Sequence, residues 1–260
     1  MIVIADNLNT RNKAYMDALG ARDKKTVLAL AGKLSHANMI NVQCSLDGAG
    51  DEDALPWAAA VVQEAAPDCH IGLDSRNISA IEKAVKLTKK PPLINYMSAS
   101  EPDDPDAMLD IISGSGASLV LRATRATPPA SLESKLQILE ELLEMANAAD
   151  IPNERLFADP SLVHLGRGAG QKHLSNSAEC VRVIKDLVDP PLSTIAWISN
   201  VSTGLPPSLK KTVEASFFCY LSGAGLDAAM LDVLDGSLKR AVYLVKAFRD
   251  ELIFTPADLA

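Results

Sequence analysis

The chain has 260 residues and a formal net charge of −8, from 25 Lys and Arg against 33 Asp and Glu, a balance that repels a phosphate backbone and argues against a nucleic-acid partner. Hydrophobic residues make up 48% and aromatic ones only 4%, so the core is expected to be Ala, Leu, Ile and Val packed around buried strands, without a base-stacking or lectin-like surface. The length suits one α/β barrel, with residues 1–260 as a single domain.

From the amino terminus, MIVIADNLN runs into a strand-like segment without the basic region and long apolar run of a signal peptide. No later stretch approaches the roughly 18 unbroken apolar residues of a membrane span. The four cysteines, Cys44, Cys69, Cys180 and Cys219, form no CxxC pair, so they read as reduced thiols in a cytoplasmic protein with no membrane partner.

Eight short apolar runs then alternate with segments of helical periodicity. The predicted strands are residues 2–5, 39–43, 70–74, 93–96, 118–122, 155–159, 194–199 and 226–232. Between the third and fourth, Ser79-Ala80-Ile81-Glu82 has the form of a capping box, with Ile81 and Val85 on one face, Lys89 and Lys90 at the carbonyl end, and Pro91-Pro92 as the stop. Ser131 precedes a stripe of Leu132, Leu136, Leu139 and Leu143, with Glu133, Glu140, Glu141 and Glu144 free to face water. The run 166–170, with three glycines, falls in a loop, where flexibility is a better reading than a phosphate cradle. Leu209, Val213, Phe217 and Leu221 form another stripe, and a last helix is expected over 237–250. Eight uninterrupted units favour a closed (β/α)8 TIM barrel over a doubly wound sheet, and no G-x-G-x-x-G follows any strand.

In such a barrel the carboxyl ends of the strands converge on one mouth. Those ends offer Asp6 or Asn7, Gln43, Asp74, Asn95, Arg122 with nearby Arg125, Asp159, Ser199 with Asn200, and Asp232. Polar groups at all eight ends would fill a closed core poorly, since each unpaired one costs about 1–3 kcal/mol. Two Asp and two Asn make a donor and acceptor array for a flat heterocycle bearing amide and amino groups. Each also has a plainer reading: Asp74 and Asp159 as loop caps, Asn95 as a turn residue, Asp232 as the cap of the last helix, and the two arginines as counter-ions. The four histidines make no i, i+4 pair, so no metal site is expected, and no G-x-S-x-G elbow presents a serine.

The segments IGLDSRNISAIEKAV (71–85), LINYMSA (93–99), LFADPSL (156–162), SNVSTGLP (199–206) and GAGLDAAMLD (223–232) occur in an order and spacing that resemble the methyltetrahydrofolate:corrinoid methyltransferases, over nearly the whole chain. Dihydropteroate synthases share the wider family of pterin-binding barrels, but their NxTPDSFSDGG and STRPG loops are missing here. The resemblance implies pterin-recognising carboxylates at Asp74 and Asp159, a pterin-binding amide at Asn95, and a catalytic asparagine, near N5 of the folate, at Asn200. Asp6, Gln43, Ser199 and Ser202 are grouped with the pterin contacts. The chain departs from the family pattern at Trp197, where a glycine is usual, at Thr203 for a glutamine, at Asn41-Val42-Gln43 for D-x-N, at Asp6 for a glutamate, and at Thr124-Arg125 for Asn-Lys.

The implied activity is methyl transfer between N5 of tetrahydrofolate and the cobalt of a separate corrinoid protein, since no D-x-H-x-x-G cobalamin segment is present. The alternative is a folate-binding barrel without transfer. An aldolase-like enzyme would need a strand-end lysine, and none is offered. The resemblance also implies a homodimer, for which Phe217, Phe218 and Tyr220 provide a candidate apolar cluster.

Overall fold

The computed structural model describes residues 1–259. Eight parallel strands close into a barrel in chain order: β1 (Ile2–Leu8), β2 (Met39–Gln43), β3 (His70–Asp74), β4 (Leu93–Ser98), β5 (Ser118–Arg122), β6 (Leu156–Asp159), β7 (Ser193–Trp197) and β8 (Ala228–Leu231). Pairing of Ile2 with Ala228 and of Ala5 with Leu231 seals β1 against β8. Helices α1 (Lys13–Gly20) and α2 (Lys24–Gly32) follow β1, and α3 (Asp51–Ala65) and α4 (Ile78–Val85) follow β2 and β3. The ring continues with α5 (Pro105–Ser115), α6 (Leu132–Ala148), α7 (Gly170–Leu187), α8 (Pro207–Gly223) and α9 (Gly236–Phe248). No helix among the described residues is long and apolar enough to cross a membrane.

Strand alternation sends every second side chain into the barrel. Ile4, Leu93, Val120, Phe157, Ile195, Trp197, Ala228 and Met230 make a cluster of their own, separate from the larger layer between strands and helices. This inner plug is apolar on β7 and β8 up to the last turn of each strand. On β1 to β6 the position two residues beyond it is polar: Asp6 follows Ile4, Asn95 follows Leu93, Arg122 follows Val120 and Asp159 follows Phe157. The same two-residue period places Asn41 with Gln43 and Gly72 with Asp74.

Several expected boundaries shift. β4 runs on to Ser98, β7 stops at Trp197 before a 3-10 turn over Ile198–Ser202, and β8 spans only Ala228–Leu231. The inward residue ending β7 is therefore Trp197, and Ser199 belongs to the turn. Asp232 does not cap α9: Asp235 accepts from Ser237 N and Leu238 N, while Asp232 receives Asn7 Nδ2 and Lys211 Nζ. The stripe on α8 turns by one residue, so that Glu214, Phe218, Leu221 and Ser222 are buried and Leu209 is 51% exposed. Ser131 does cap α6, accepting from Ser134 N.

The box at Ser79 is also displaced. Asn77 is the N-cap of α4, its side chain accepting from Ala80 N at 2.9 Å, and Ser79 instead donates to Glu52 on α3. Asn is as good a cap as Ser, and the earlier residue wins because Ser75 Oγ accepts the Asn77 N–H and sets the approach. Asn77→Ala is expected to cost about 1 kcal/mol in urea denaturation, and Ser79→Ala less than about 0.5 kcal/mol.

Candidate active site

A cavity of about 450 Å³ opens at the carboxyl ends of the strands. Its wall carries Asp6 from β1, Gln43 from β2, Asp74 from β3, Asn95 and Tyr96 from β4, Arg122 from β5 and Trp197 from β7, with Asn200 from the turn beyond. Arg11, from the loop after β1, and Arg76 and Glu101 line its rim.

Asn41 organises the deep side of this cavity. It is fully buried, donates from Nδ2 to Asp74 Oδ2 at 3.3 Å and accepts at Oδ1 from Asn95 Nδ2 at 2.6 Å. Gln43 Nε2 adds a second bond to Asp74 Oδ2 at 3.0 Å and is itself held by Thr10 Oγ1. The close approach of Asn41 needs the bare backbone of Gly72, where a Cβ would stand 2.9 Å from Asn41 Oδ1. Asn95 is 1% exposed and its Oδ1 has no partner. A buried amide oxygen left unpaired is costly.

Charge is distributed unevenly. Burial pushes the Asp74 carboxyl up to about 6, with nearby Asp6 raising it further and Asn41 and Gln43 opposing. Burial likewise raises Asp6, against the Arg11 guanidinium 2.9 Å from its Oδ2. Asp159 is 1% exposed and does not line the cavity. Its Oδ1 accepts from Ser161 N at 2.9 Å and its Oδ2 lies 3.0 Å from Arg122 Nε. Burial raises Asp159 too, with Arg122 and the Ser161 N–H pulling the other way. Lys135 of α6, fully buried, donates to the carbonyls of Pro160 and Ser161 and holds the turn from the outside.

Asn200 reaches the cavity from the 3-10 turn. Its carbonyl accepts from Thr203 N, but its side-chain amide has no protein hydrogen bond among the described residues. The turn is held without that amide: Ser202 Oγ contacts the buried Glu214 of α8 and the Ser199 carbonyl. Ser199 Oγ accepts from Arg11 and lies 3.5 Å from Asp6 Oδ2. Ser199 and Ser202 thus face an adjoining space that shares Asp6 and Arg11 with the main cavity.

A family model described as pterin binding enzyme matches residues 41–232, from Asn41 through Asp232. The chain belongs to that family. It is similar to the methionine synthase of Mycobacterium leprae, 21% identical over 245 residues that make up 89% of this chain and 20% of that protein. The chain therefore spans about a fifth of that relative's length. A dihydropteroate synthase of Coxiella burnetii, in complex with pteroic acid, matches with a TM-score of 0.68 at 14% identity, over 96% of this chain and 94% of that one. A dihydropteroate synthase of Xanthomonas albilineans, in complex with indole-2-carboxylic acid and 6-chloroguanine, gives 0.70 at 14% identity, over 95% and 92%. At such identities the likeness is one of fold: a pterin-binding TIM barrel of the dihydropteroate synthase kind.

Of the residues singled out in the sequence, Asp6, Gln43, Asp74, Asn95 and Asn200 share the main cavity. Ser199 and Ser202 sit beside it, and Asp159 lies off its wall. Arg125 is away from the mouth, paired with Glu141 at 2.7 Å. Asn41 and Arg11 were not among the candidates. The two-residue period from Gln43 points to Asn41, whereas Arg11 lies in a loop where no periodicity marks it.

Asp74 has a consequence for stability. Because its carboxyl titrates at about 6 when folded and near 3.8 when unfolded, the native state holds the extra proton between those values. Stability from this group is therefore highest below that window and falls as pH rises through it. Asp74→Asn is expected to raise the unfolding free energy at neutral pH by about 1–3 kcal/mol relative to the parent, with the difference vanishing near pH 4. Urea denaturation across that range checks it, and an equal offset at every pH would show that the carboxyl is not desolvated.

Proposed function

We propose that residues 1–260 act as one pterin-binding barrel domain that moves a methyl group between N5 of methyltetrahydrofolate and the cobalt of a separate corrinoid protein. The observation that carries this reading is the pairing, in one cavity, of an unpartnered deep acceptor, Asn95 Oδ1, with an uncommitted amide, Asn200. Family membership supports the pterin and the likeness to a methionine synthase supports the methyl chemistry. The dihydropteroate synthases contribute the fold, and the loops that mark that activity in sequence are missing from this chain.

In this reading Asp74 and Asn95 take donors of the amino-pyrimidine ring, Gln43 and Asn41 hold Asp74, and Asp159 acts through Arg122. Asp6, Ser199 and Ser202 shape the side of the mouth nearest Asn200. The methyl group leaves N5 without its bonding electrons, which stay on nitrogen, so the amine departs well only when N5 is protonated. The cobalt(I) of the partner's corrinoid supplies the electron pair of the new bond. An amide does not titrate, so Asn200 can hydrogen-bond N5 and favour its charge in the transition state while solvent provides the proton.

A second reading, a pterin-binding barrel without transfer, is favoured by Trp197, whose indole stands on the cavity wall where the corrinoid methyltransferases have a small residue. Turnover separates the two: a protein that binds methyltetrahydrofolate stoichiometrically but methylates no corrinoid protein is a binder. A homodimer is part of the methyltransferase reading. Phe218 is fully buried against the barrel, which leaves Tyr220, 46% exposed and tilted against Phe217 with ring centres 5.9 Å apart, as the apolar surface on α8.

Asp74→Ala, Asn95→Ala and Asp159→Ala are each expected to weaken calorimetric binding of methyltetrahydrofolate by about 1–3 kcal/mol. Asn200→Ala is expected to slow methyl transfer by about 10- to 1000-fold, followed by stopped-flow loss of cobalt(I) absorbance with circular dichroism as the folding control. An unchanged rate in the folded Asn200 variant rejects its catalytic role, and parental affinity in all three Ala variants moves the site elsewhere.

A further inference from the structure

The cavity wall offers its unused acceptors and donors in a particular arrangement. Asn95 Oδ1 has no partner, and both hydrogen bonds given to Asp74 fall on Oδ2. Most of the donors are committed: Asn41 and Gln43 to Asp74, Asn95 Nδ2 to Asn41, Arg11 to Asp6 and Ser199, and Arg76 to Glu101. Arg122 differs from the other two arginines. Only its Nε meets a carboxylate, Asp159, and the other polar neighbour of its guanidinium is the Tyr96 hydroxyl.

Arg122 also has two aromatic neighbours. Its guanidinium carbon lies 4.5 Å from the centre of the Tyr96 ring and 5.2 Å from that of Trp197, so rings from β4 and β7 both flank the cation. Its side chain is 18% exposed, and all three residues line the cavity while Asp159 does not. The carboxylate on β6 thus anchors the arginine, and the arginine presents the polar surface that a ligand meets. Trp197, a departure from the family pattern in sequence, gains a role as one of the two rings.

We propose that Arg122 is a specificity residue that donates to the 4-oxo group of the bound pterin and selects 4-oxo over 4-amino pteridines. This rests on the reading that the cavity takes a pterin. The ring's 2-amino and N3–H groups are donors and suit Asp74 and Asn95 Oδ1, while its 4-oxo group is an acceptor and suits a guanidinium. A 2,4-diaminopteridine turns a donor toward Arg122, which has no acceptor to offer, and its N3 carries no hydrogen, so the Asp74 and Asn95 edge loses a donor as well.

The test is competitive calorimetry with pterin and 2,4-diaminopteridine at a pH where both are neutral, so that protonation of the diamine does not create a new ion pair with Asp74. The parent protein is expected to prefer pterin by on the order of 100-fold or more, since mismatches fall at both Arg122 and N3. Arg122→Met strands the Asp159 charge, so Arg122→Met is also made together with Asp159→Asn. The preference is expected to shrink by about tenfold in the folded double variant, which keeps the N3 mismatch, and Arg122→Lys, lacking the planar fork, is expected to lie between. A parent that binds pterin without preferring it, or a folded double variant that keeps the full preference, overturns the assignment. Failure of the parent to bind either pteridine instead overturns the pterin reading itself, and the assignment with it.

Discussion

The two hydrogen bonds of Asn41 hold the deep end of the mouth in shape. Its amide nitrogen goes to Asp74 and its oxygen takes the Asn95 amide, so a single buried side chain sets the carboxylate of β3 and the amide of β4 at once. Because Asn95 spends its nitrogen on Asn41, its oxygen is left without a partner in the protein's own network. Gly72, which lacks the Cβ that would press on Asn41 Oδ1, is part of the same constraint. A closed barrel makes this possible, since the register sets Asn41 opposite Gly72 and, one inward position further on, aligns Gln43, Asp74 and Asn95.

The second organising feature is electrostatic. Three carboxylates, Asp6, Asp74 and Asp159, are raised by burial, and two of them are matched directly by an arginine: Asp6 by Arg11 and Asp159 by Arg122. Asp74 has only amide donors, which makes it the least compensated charge in the cavity and the one whose stabilisation a ligand's N–H groups would most improve. Stability has been given up there in a way that ligand binding can restore, a pattern common to functional sites.

Much of this was legible in the sequence because it follows from period and strand ends. Eight strands, the inward positions of Asp74 and Asn95, and the cap at Ser131 come from alternation and helix signals that tertiary packing does not override. The misplaced features share a cause, in that each depended on which of two adjacent polar residues a neighbour chose. Asn77 rather than Ser79 caps α4 because Ser75 receives its N–H, Asp235 rather than Asp232 caps α9 because Asp232 pairs with Asn7 and Lys211, and Glu214 turns toward Ser202, shifting the buried face of α8. Strand order puts Asp159 at the mouth, where the resemblance implies a pterin contact, but it gives no sign that Arg122, with Tyr96 and Trp197 beside it, is its partner. Arg11 had no such signal, since its place depends on how the loop after β1 folds back on Asp6.

The account turns on where a pterin ring sits, and a crystal structure of the protein with bound 5-methyltetrahydrofolate tests that most directly. The expected result places the amino-pyrimidine edge within hydrogen-bond distance of Asn95 Oδ1 and Asp74, with N5 facing the Asn200 amide. A ring bound outside this cavity, or inside it with Asn95 Oδ1 still unpartnered, would contradict the account.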